Sequence, residues 1–293
     1  MANNKKILGI SRSHRFSPGS EERDAAIFDA VRRELEQRGY SVSVVSEDDF
    51  LFEVNGAAEG LFNYCVVFSM ARDVRVLKVL TEAEAAGVPV VNSPKHLQSQ
   101  TRMAQTTLFQ AAGIPVPRTI FLSQGYEMPV GVRFPSWLKR SDACAQTAGD
   151  VRFVENRSAL VEALDDFRRR AVPEAILCEH EEGDLIKFYG VAGTSFFHYT
   201  YPTRPGSFSK FGCEAINGAP HDYVFSSALL KQYADRAAQL CGIPVYGGDC
   251  VVCADGSFSF IDFNDWPSFS VCAAQAAVFI ATLLETMKSK NQE

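Results

Sequence analysis

Several features that would settle a function quickly are missing from this chain. It has no G-x-G-x-x-G and no G-x-x-x-x-G-K-[ST], so the two commonest phosphate-binding loops are excluded. No apolar run is long enough to span a bilayer, and residues 1–6, Met-Ala-Asn-Asn-Lys-Lys, do not read as a signal peptide. A cytoplasmic protein with no membrane partner is therefore expected. Positive charge is in the minority, with 29 Lys and Arg against 35 Asp and Glu and a net charge of -6. That balance argues against a nucleic-acid partner held by bulk phosphate neutralisation. The eight cysteines show no disulfide framework. Cys250 and Cys253 stand at C-x-x-C spacing, but in a strand their thiols face opposite sides, and no second pair follows at zinc spacing. Internal repeats and low-complexity segments are absent as well.

What remains is an ordinary globular chain of 293 residues, 46% hydrophobic and 22% charged, long enough for two or three lobes with a sizeable core. Its first third alternates strand and helix. Strands are expected at 6–10, 42–45, 64–68 and 88–92, and amphipathic helices at 21–38, capped by Ser20, and 74–86; Gly39 and Gly87 end these helices. Alternation of this kind implies a parallel sheet with helices packed on it. Ligands in such sheets gather at the C-terminal strand ends, where the loop 11–20 carries Arg12 and Arg15. That loop is either an anion site or a solvated basic turn.

Beyond residue 93 the pattern changes. A helix is expected at 97–112, strands at 134–140, 151–154 and 175–178, and a helix at 158–170. A hairpin at 186–200 turns over Ala192-Gly193, an aromatic and glycine-rich loop fills 201–221, and helices follow at 226–240 and 271–287. Between these last helices, residues 246–269 read as a second hairpin, turning at Asp255-Gly256. Asp262 and Asn264 are two apart on its second strand and share a face, and Asp249 opens the first strand. Such a set of hard oxygen donors suits Mg²⁺ better than zinc, although three solvated polar positions would give the same pattern. Ile261, Phe263, Trp266 and Phe269 mark the stretch as buried, where a carboxylate needs a partner.

Four blocks in this order resemble the ATP-grasp superfamily over essentially the whole chain. They are Gly87-Val-Pro-Val-Val-Asn-Ser-Pro94 with Gly113-Ile-Pro-Val-Pro117, then Pro135-Ser-Trp-Leu-Lys139, then Cys178-Glu-His-Glu-Glu-Gly-Asp-Leu-Ile-Lys187, and last Gly248-Asp249 with Ile261-Asp-Phe-Asn264. The chain resembles carboxylate–amine ligases of the glutathione synthetase and ribosomal-protein glutamate ligase type, with some features of the inositol-phosphate kinase branch. The resemblance implies an α/β chain built of a parallel α/β domain (1–93) followed by two α+β lobes (94–182 and 183–293) that clamp a nucleotide. It implies ATP and Mg²⁺, with two ions expected. Arg102 and Lys139 would meet the phosphates, the backbone of Cys178, Glu179 and His180 the adenine edge, and Glu181 or Asp184 the ribose. Lys187 would bridge ATP and acceptor, and Asp249, Asp262 and Asn264 would hold the metal. Arg204 is the candidate for the acceptor carboxylate or an oxyanion, with Lys210 and Asn217 as loop contacts and Arg12 and Arg15 for an acidic substrate end. The chain departs from the family pattern in carrying Asp262 where glutamate is common, Arg102 where lysine is common, and few glycines in the loop 141–150.

The leading expectation is an ATP-dependent carboxylate–amine or carboxylate–thiol ligase acting through an acylphosphate on a small-molecule or peptide acceptor. A small-molecule kinase is the alternative, favoured by Asp262-Phe-Asn264 and Arg102, with His198 or His221 as base. A nucleotide-binding protein without turnover is the third, and the intact Lys139, Asp249, Asp262 and Asn264 count against it. A homodimer stays open. Acceptor identity would lie in the loops 11–20 and 201–221.

Overall fold

The computed structural model of the chain describes residues 5–16, 19–53, 58–99, 101–123, 126–142, 145, 147–204 and 213–290. The first third forms β1 (Lys6–Ser11), α1 (Glu21–Gln37), β2 (Ser41–Ser46), α2 (Glu47–Glu53), β3 (Val66–Ser69), α3 (Val74–Ala85) and β4 (Val90–Val91). The strands pair in parallel in the order β2-β1-β3-β4. Ile7, Leu8, Ile10, Val66, Val67 and Phe68 are all buried, as expected of central strands covered on both faces. Gly9 is required there, because a Cβ would stand 2.5 Å from the Phe68 ring. On α1 the buried Ile27, Phe28, Val31 and Leu35 recur at helical spacing and face the sheet. Ser20 precedes α1 without making a side-chain cap bond, contrary to the sequence expectation. Asp73 does cap α3, accepting from Arg75 N–H at 2.8 Å.

The single helix expected at 97–112 is two helices, α4 (Pro94–Ser99) and α5 (Arg102–Ala111). Thr101 interrupts them by capping the second, its hydroxyl accepting from Ala104 N–H at 3.1 Å. A second sheet then combines β5 (Thr119–Leu122), β6 (Ser136–Arg140), β7 (Val151–Val154) and β8 (Ala175–Glu179), antiparallel in the order β5-β8-β6-β7. Helix α6 (Arg157–Arg169) covers one face of it with Leu160, Ala163, Leu164 and Phe167, against Leu138, Val154 and Leu177.

The third sheet contains β9 (Asp184–Val191), β10 (Phe197–Thr200), β11 (Val245–Val252) and β12 (Phe258–Asp265), antiparallel in the order β10-β9-β11-β12. Helix α7 (Ser227–Cys241) packs Leu230, Ala234, Ala237 and Ala238 into a core with Ile186, Phe188, Tyr246, Phe260 and Phe263. The last helix, α8 (Ala273–Lys290), returns to the first layer, where Ala276, Ala277, Ile280, Ala281 and Leu284 join Ile7, Ile27 and Val31 in one core. Each such buried Ile or Leu stabilises the fold by about 1.5–3 kcal/mol relative to exposure. Among the described residues no helix is long and apolar enough to cross a membrane.

Two local features shape the hairpin of β11 and β12. Only Gly256 of its turn has positive φ, at 82°, and Cys253 N–H donates to Ser257 O across three loop residues. The turn is thus a type I turn closed by a left-handed glycine, one residue longer than the two-residue turn expected from Asp255-Gly256. Further along, Asp249 faces Asp262 but Cys250 faces Phe260, so Ile261 is an extra residue on β12. This bulge puts Ile261 and Asp262 on the same side of the sheet, where alternation would have separated them.

Candidate active site

The third sheet carries a row of charge across three adjacent strands. Lys187 on β9 is paired in register with Asp249 on β11, and Asp249 with Asp262 on β12. Lys187 Nζ lies 3.7 Å from Asp249 Oδ1 and 3.1 Å from Glu214 Oε1, and Asp249 above all raises its pKa. Burial raises the pKa of Asp249, with Lys187 opposing and Asp262 adding to the rise. At Asp262 burial acts in the same direction but Arg102 and Lys139 outweigh it, and the pKa falls. Asn264, two residues along β12, donates from Nδ2 to Asp262 Oδ2 at 3.3 Å.

The second sheet supplies the opposite wall. Lys139 on β6, 7% exposed, donates from Nζ to Ile261 O at 2.8 Å, the carbonyl of the bulge residue. Arg102, the first residue of α5, brings its guanidinium to 3.6 Å from Asp262 Oδ2. Between the two sheets lies a cavity of about 300 Å³. Its charged end is made by Arg102, Lys139, Lys187, Asp249, Asp262 and Asn264. Trp137, Leu185 and Ile261 give it an apolar end, and Glu214 and Asn217 close a side. Strand periodicity explains the division, since Trp137 and Leu185 precede Lys139 and Lys187 by two residues on the same faces. A larger cavity of about 720 Å³ adjoins the charged end and shares Arg102, Asp262 and Asn264 with it. Its far wall comes from the loops after β1 and β3 and from α3, and includes Phe16, Arg72, Val74, Arg75 and Lys78.

That wall is fixed by contacts the sequence does not announce. Glu47, 1% exposed, accepts Ser13 N–H at 2.6 Å on one oxygen and the N–H groups of Arg72 and Asp73 at 2.8 Å on the other. It thereby clamps together the loops after β1 and β3. Arg72 in turn makes a two-pronged ion pair with Asp265 at the end of β12, one prong at 2.6 Å.

Neither a protein-family model nor a curated protein matches the chain. Solved structures do match its backbone. The D-alanine–D-alanine ligase of Bacillus anthracis, crystallised with ATP, superposes with a TM-score of 0.67 at 12% identity, over 98% of this chain and 99% of that one. A RimK domain protein, an ATP-grasp protein of Sphaerobacter thermophilus, gives 0.67 at 16% identity over 95% and 99%. The ATP-grasp ligase PsnB, solved with a precursor peptide and AMPPNP, gives 0.60 at 18% identity over 98% and 99%. The chain has the ATP-grasp fold.

The two antiparallel sheets of this ATP-grasp fold bring Arg102, Lys139, Lys187, Asn217, Asp249, Asp262 and Asn264 to one cavity. Other residues singled out in the sequence are placed differently. Cys178 is buried in a small cleft beside the same Arg102 and Asp262, and Thr119 Oγ1 donates to its Sγ at 3.5 Å. Glu179 turns outward to Arg133 at 3.5 Å. Asp184 is an anchor, accepting from the N–H groups of His221 at 2.6 Å and Tyr223 at 2.9 Å; these donors outweigh burial and lower its pKa. Glu181 has a buried Oε2 with no hydrogen-bond partner among the described residues, and burial raises its pKa. Its backbone oxygen accepts from Asn217 Nδ2 at 3.4 Å, which sets it beside the cavity.

The arginines expected to meet substrate line neither cavity. Arg12, expected in an anion site, is held within the fold by Met70 O at 3.2 Å, Trp266 O at 3.0 Å and Asp24 at 3.4 Å. Arg15 is paired with Asp73 and, at 3.9 Å, with Asp48. Arg204 stays on the surface, paired with Asp222 and stacked 4.4 Å over the Tyr201 ring. His198 and His221, considered as bases, also lie outside both cavities, and His221 serves Asp184. Lys210 lies outside the described residues.

The donors fit a magnesium ion. Among the described residues no group of three His, Cys, Asp or Glu is poised for a metal. Two opposed carboxylates and an amide oxygen are instead an incomplete, all-oxygen set, which suits a cation that completes its shell with water and phosphate oxygens. A cation there would also relieve the like-charge contact of Asp249 and Asp262.

Proposed function

We propose that this protein is an ATP-dependent ligase that joins a carboxylate to an amine. One observation carries the reading: a cleft of about 300 Å³ whose cationic, carboxylate and amide residues Arg102, Asp262 and Asn264 also line a second, larger cavity. ATP lies along the first cavity, base toward Trp137 and Leu185 and phosphates toward Lys139, Lys187 and Arg102. Glu181, with its unpartnered oxygen, accepts from a ribose hydroxyl. Asp249, Asp262 and Asn264 would hold Mg²⁺, which would supply neutralisation of phosphate charge. The acceptor occupies the larger cavity, between α3 and the end of β12.

The chain's own groups then act by placement and charge. An acceptor carboxylate oxygen attacks the γ-phosphorus, the bond to ADP breaks, and an acylphosphate remains. The amine attacks the acyl carbon, inorganic phosphate leaves with its bonding pair, and the amine proton passes to solvent. Lys139 and Arg102 donate to phosphate oxygens as charge shifts toward ADP. Lys187, kept protonated by Asp249 and Glu214, is a cation rather than a base at neutral pH. The lining of the larger cavity, apolar at Phe16, Leu77, Leu97 and Phe263 with Lys78 on one side, favours an acceptor with an apolar body and an anionic group.

A second reading, a small-molecule kinase, is motivated by Arg102 at 3.6 Å from Asp262. Incubation with Mg·ATP, pooled carboxylic acids and pooled amines separates the two. ADP and inorganic phosphate released only when acid and amine are both present supports the ligase. ADP with a phosphorylated hydroxyl acceptor and no free phosphate would replace it by the kinase.

A further inference from the structure

Trp137 forms the apolar wall of the nucleotide cavity, and its indole is not free to turn. Its Nε1–H donates to His180 Nδ1 at 3.0 Å. This bond demands a neutral imidazole with its proton on Nε2, because a protonated ring has no lone pair at Nδ1. Burial supplies that condition by lowering the pKa of His180, with only Glu182 opposing. The imidazole is itself fixed from two sides. Its backbone N–H donates to Pro135 O at 3.1 Å, at the start of β6, and its ring meets Phe153 on β7 edge-on at 5.2 Å. Phe153 also lies 4.9 Å from the indole, so His180, Phe153 and Trp137 form a closed triangle of rings.

The triangle has a direction. Trp137 and Lys139 share a face of β6, and a strand advances about 6.5 Å over two residues. That is the scale of the step from a nucleotide's inner phosphates toward its base, and Leu185 stands two residues from Lys187 on the facing strand. Without the bond to His180 the indole has no described polar partner and regains rotamer freedom. With it, the aromatic face is presented before ligand arrives, and the cost of ordering it is removed from binding.

We infer that His180 is a positioning residue for base selection: its Nδ1 locks Trp137 as a stacking wall that favours a purine nucleotide over the same phosphates without a base. The inference rests on the nucleotide reading of this cavity. It concerns the side chain of His180, distinct from any backbone contact to the base edge.

The full-length protein provides its own probe, since Trp137 and Trp266 are the only two tryptophans and Trp266 is fully buried in the first core. Mg·AMPPNP should change the intrinsic fluorescence of the wild type, and Trp137→Phe should lose that signal. Affinities for Mg·AMPPNP, Mg·CTP and inorganic tripolyphosphate are then compared in wild type, His180→Leu and His180→Asn, with thermal midpoints measured alongside. In His180→Leu the preference for AMPPNP over tripolyphosphate should fall about tenfold, while tripolyphosphate binding holds. The preference for AMPPNP over CTP should fall with it. His180→Asn, whose carbonyl oxygen can take the place of Nδ1, should restore most of both. An unchanged ratio in His180→Leu, all ligands weakened equally, or no recovery with Asn would each overturn the assignment while leaving the nucleotide site intact. A wild type that binds none of the three would remove the nucleotide reading and this inference together.

Discussion

Asp249 and Asp262 face each other across the β11–β12 ladder, and their surroundings treat them oppositely. Burial raises the pKa of Asp249, whereas Arg102 and Lys139 draw that of Asp262 down. The pair is costly to the fold in the absence of a cation and is arranged to receive one. Asp262→Asn should therefore lower Mg·ATP turnover by roughly a hundredfold or more. Its thermal midpoint should fall modestly at neutral pH, because a carboxylate whose pKa the fold lowers contributes stability that the amide does not. Activity near the wild-type level, read as ADP release, would sink the metal assignment.

The tie between Arg72 and Asp265 links the loop after β3 to the end of β12. Asp265 keeps only 9% side-chain exposure, so truncating its partner strands a nearly buried carboxylate. Arg72→Ala should cost about 2 kcal/mol of stability, below the full cost of breaking a deeply buried pair because Arg72 itself is 21% exposed. A denaturant midpoint gives the number. If the pair also sets the acceptor wall, acceptor KM rises more than KM for ATP.

Glu47 offers a sharper test of how the acceptor wall is held. Three backbone N–H groups donate to its carboxylate, and each bond to a charged acceptor contributes about 1.5–3 kcal/mol. Glu47→Ala should destabilise by about 3 kcal/mol or more. Glu47→Gln, which keeps one acceptor oxygen, should lose less. Equal midpoints for the two variants would show that the loops after β1 and β3 are held by something else.

Asp73 predicts a dependence on acid. Arg75 first, and then Arg15, hold its carboxyl well below the usual carboxylate range, against burial. A folded pKa below the unfolded value of about 3.9 contributes stability that is complete above it and is lost as pH falls through the folded value. Wild type should thus exceed Asp73→Asn by a constant margin between pH 6 and 8, chosen as roughly two or more units above that value. The margin should shrink below about pH 4. A margin that widens in acid would contradict the pairing, and urea titrations at several pH values decide it.

Much of this arrangement is legible in the sequence because it depends on short-range periodicity. Asp262 and Asn264 on one face, Lys139 at the end of an apolar run, and the alternation of the first third all follow from spacings of two or of three to four residues. What escaped depends on partners far away in the chain or on one inserted residue. Arg72 and Asp265 are 193 positions apart, and nothing local marks either as half of a pair. The bulge at Ile261 has no signal in Phe260-Ile-Asp-Phe263, yet it decides which carbonyl Lys139 meets. Arg12 and Arg204 are the converse case. A basic loop residue reads as ligand-facing until its carboxylate or carbonyl partners in the fold are known.

The return of α8 to α1 has a consequence for how the chain is made. The first sheet is assembled from residues near the start, but one of its faces is closed by Ala276, Ile280, Ala281 and Leu284. While the chain is still growing, Ile7, Ile27, Val31 and Leu35 lack the cover that α8 gives, and that part of their apolar surface stays open until α8 has been made. Such long-range closure slows folding and leaves a sticky intermediate. A nascent chain stalled before Ala273 should accordingly be a client of chaperones that bind exposed aliphatic surface, and release should come only once α8 has docked.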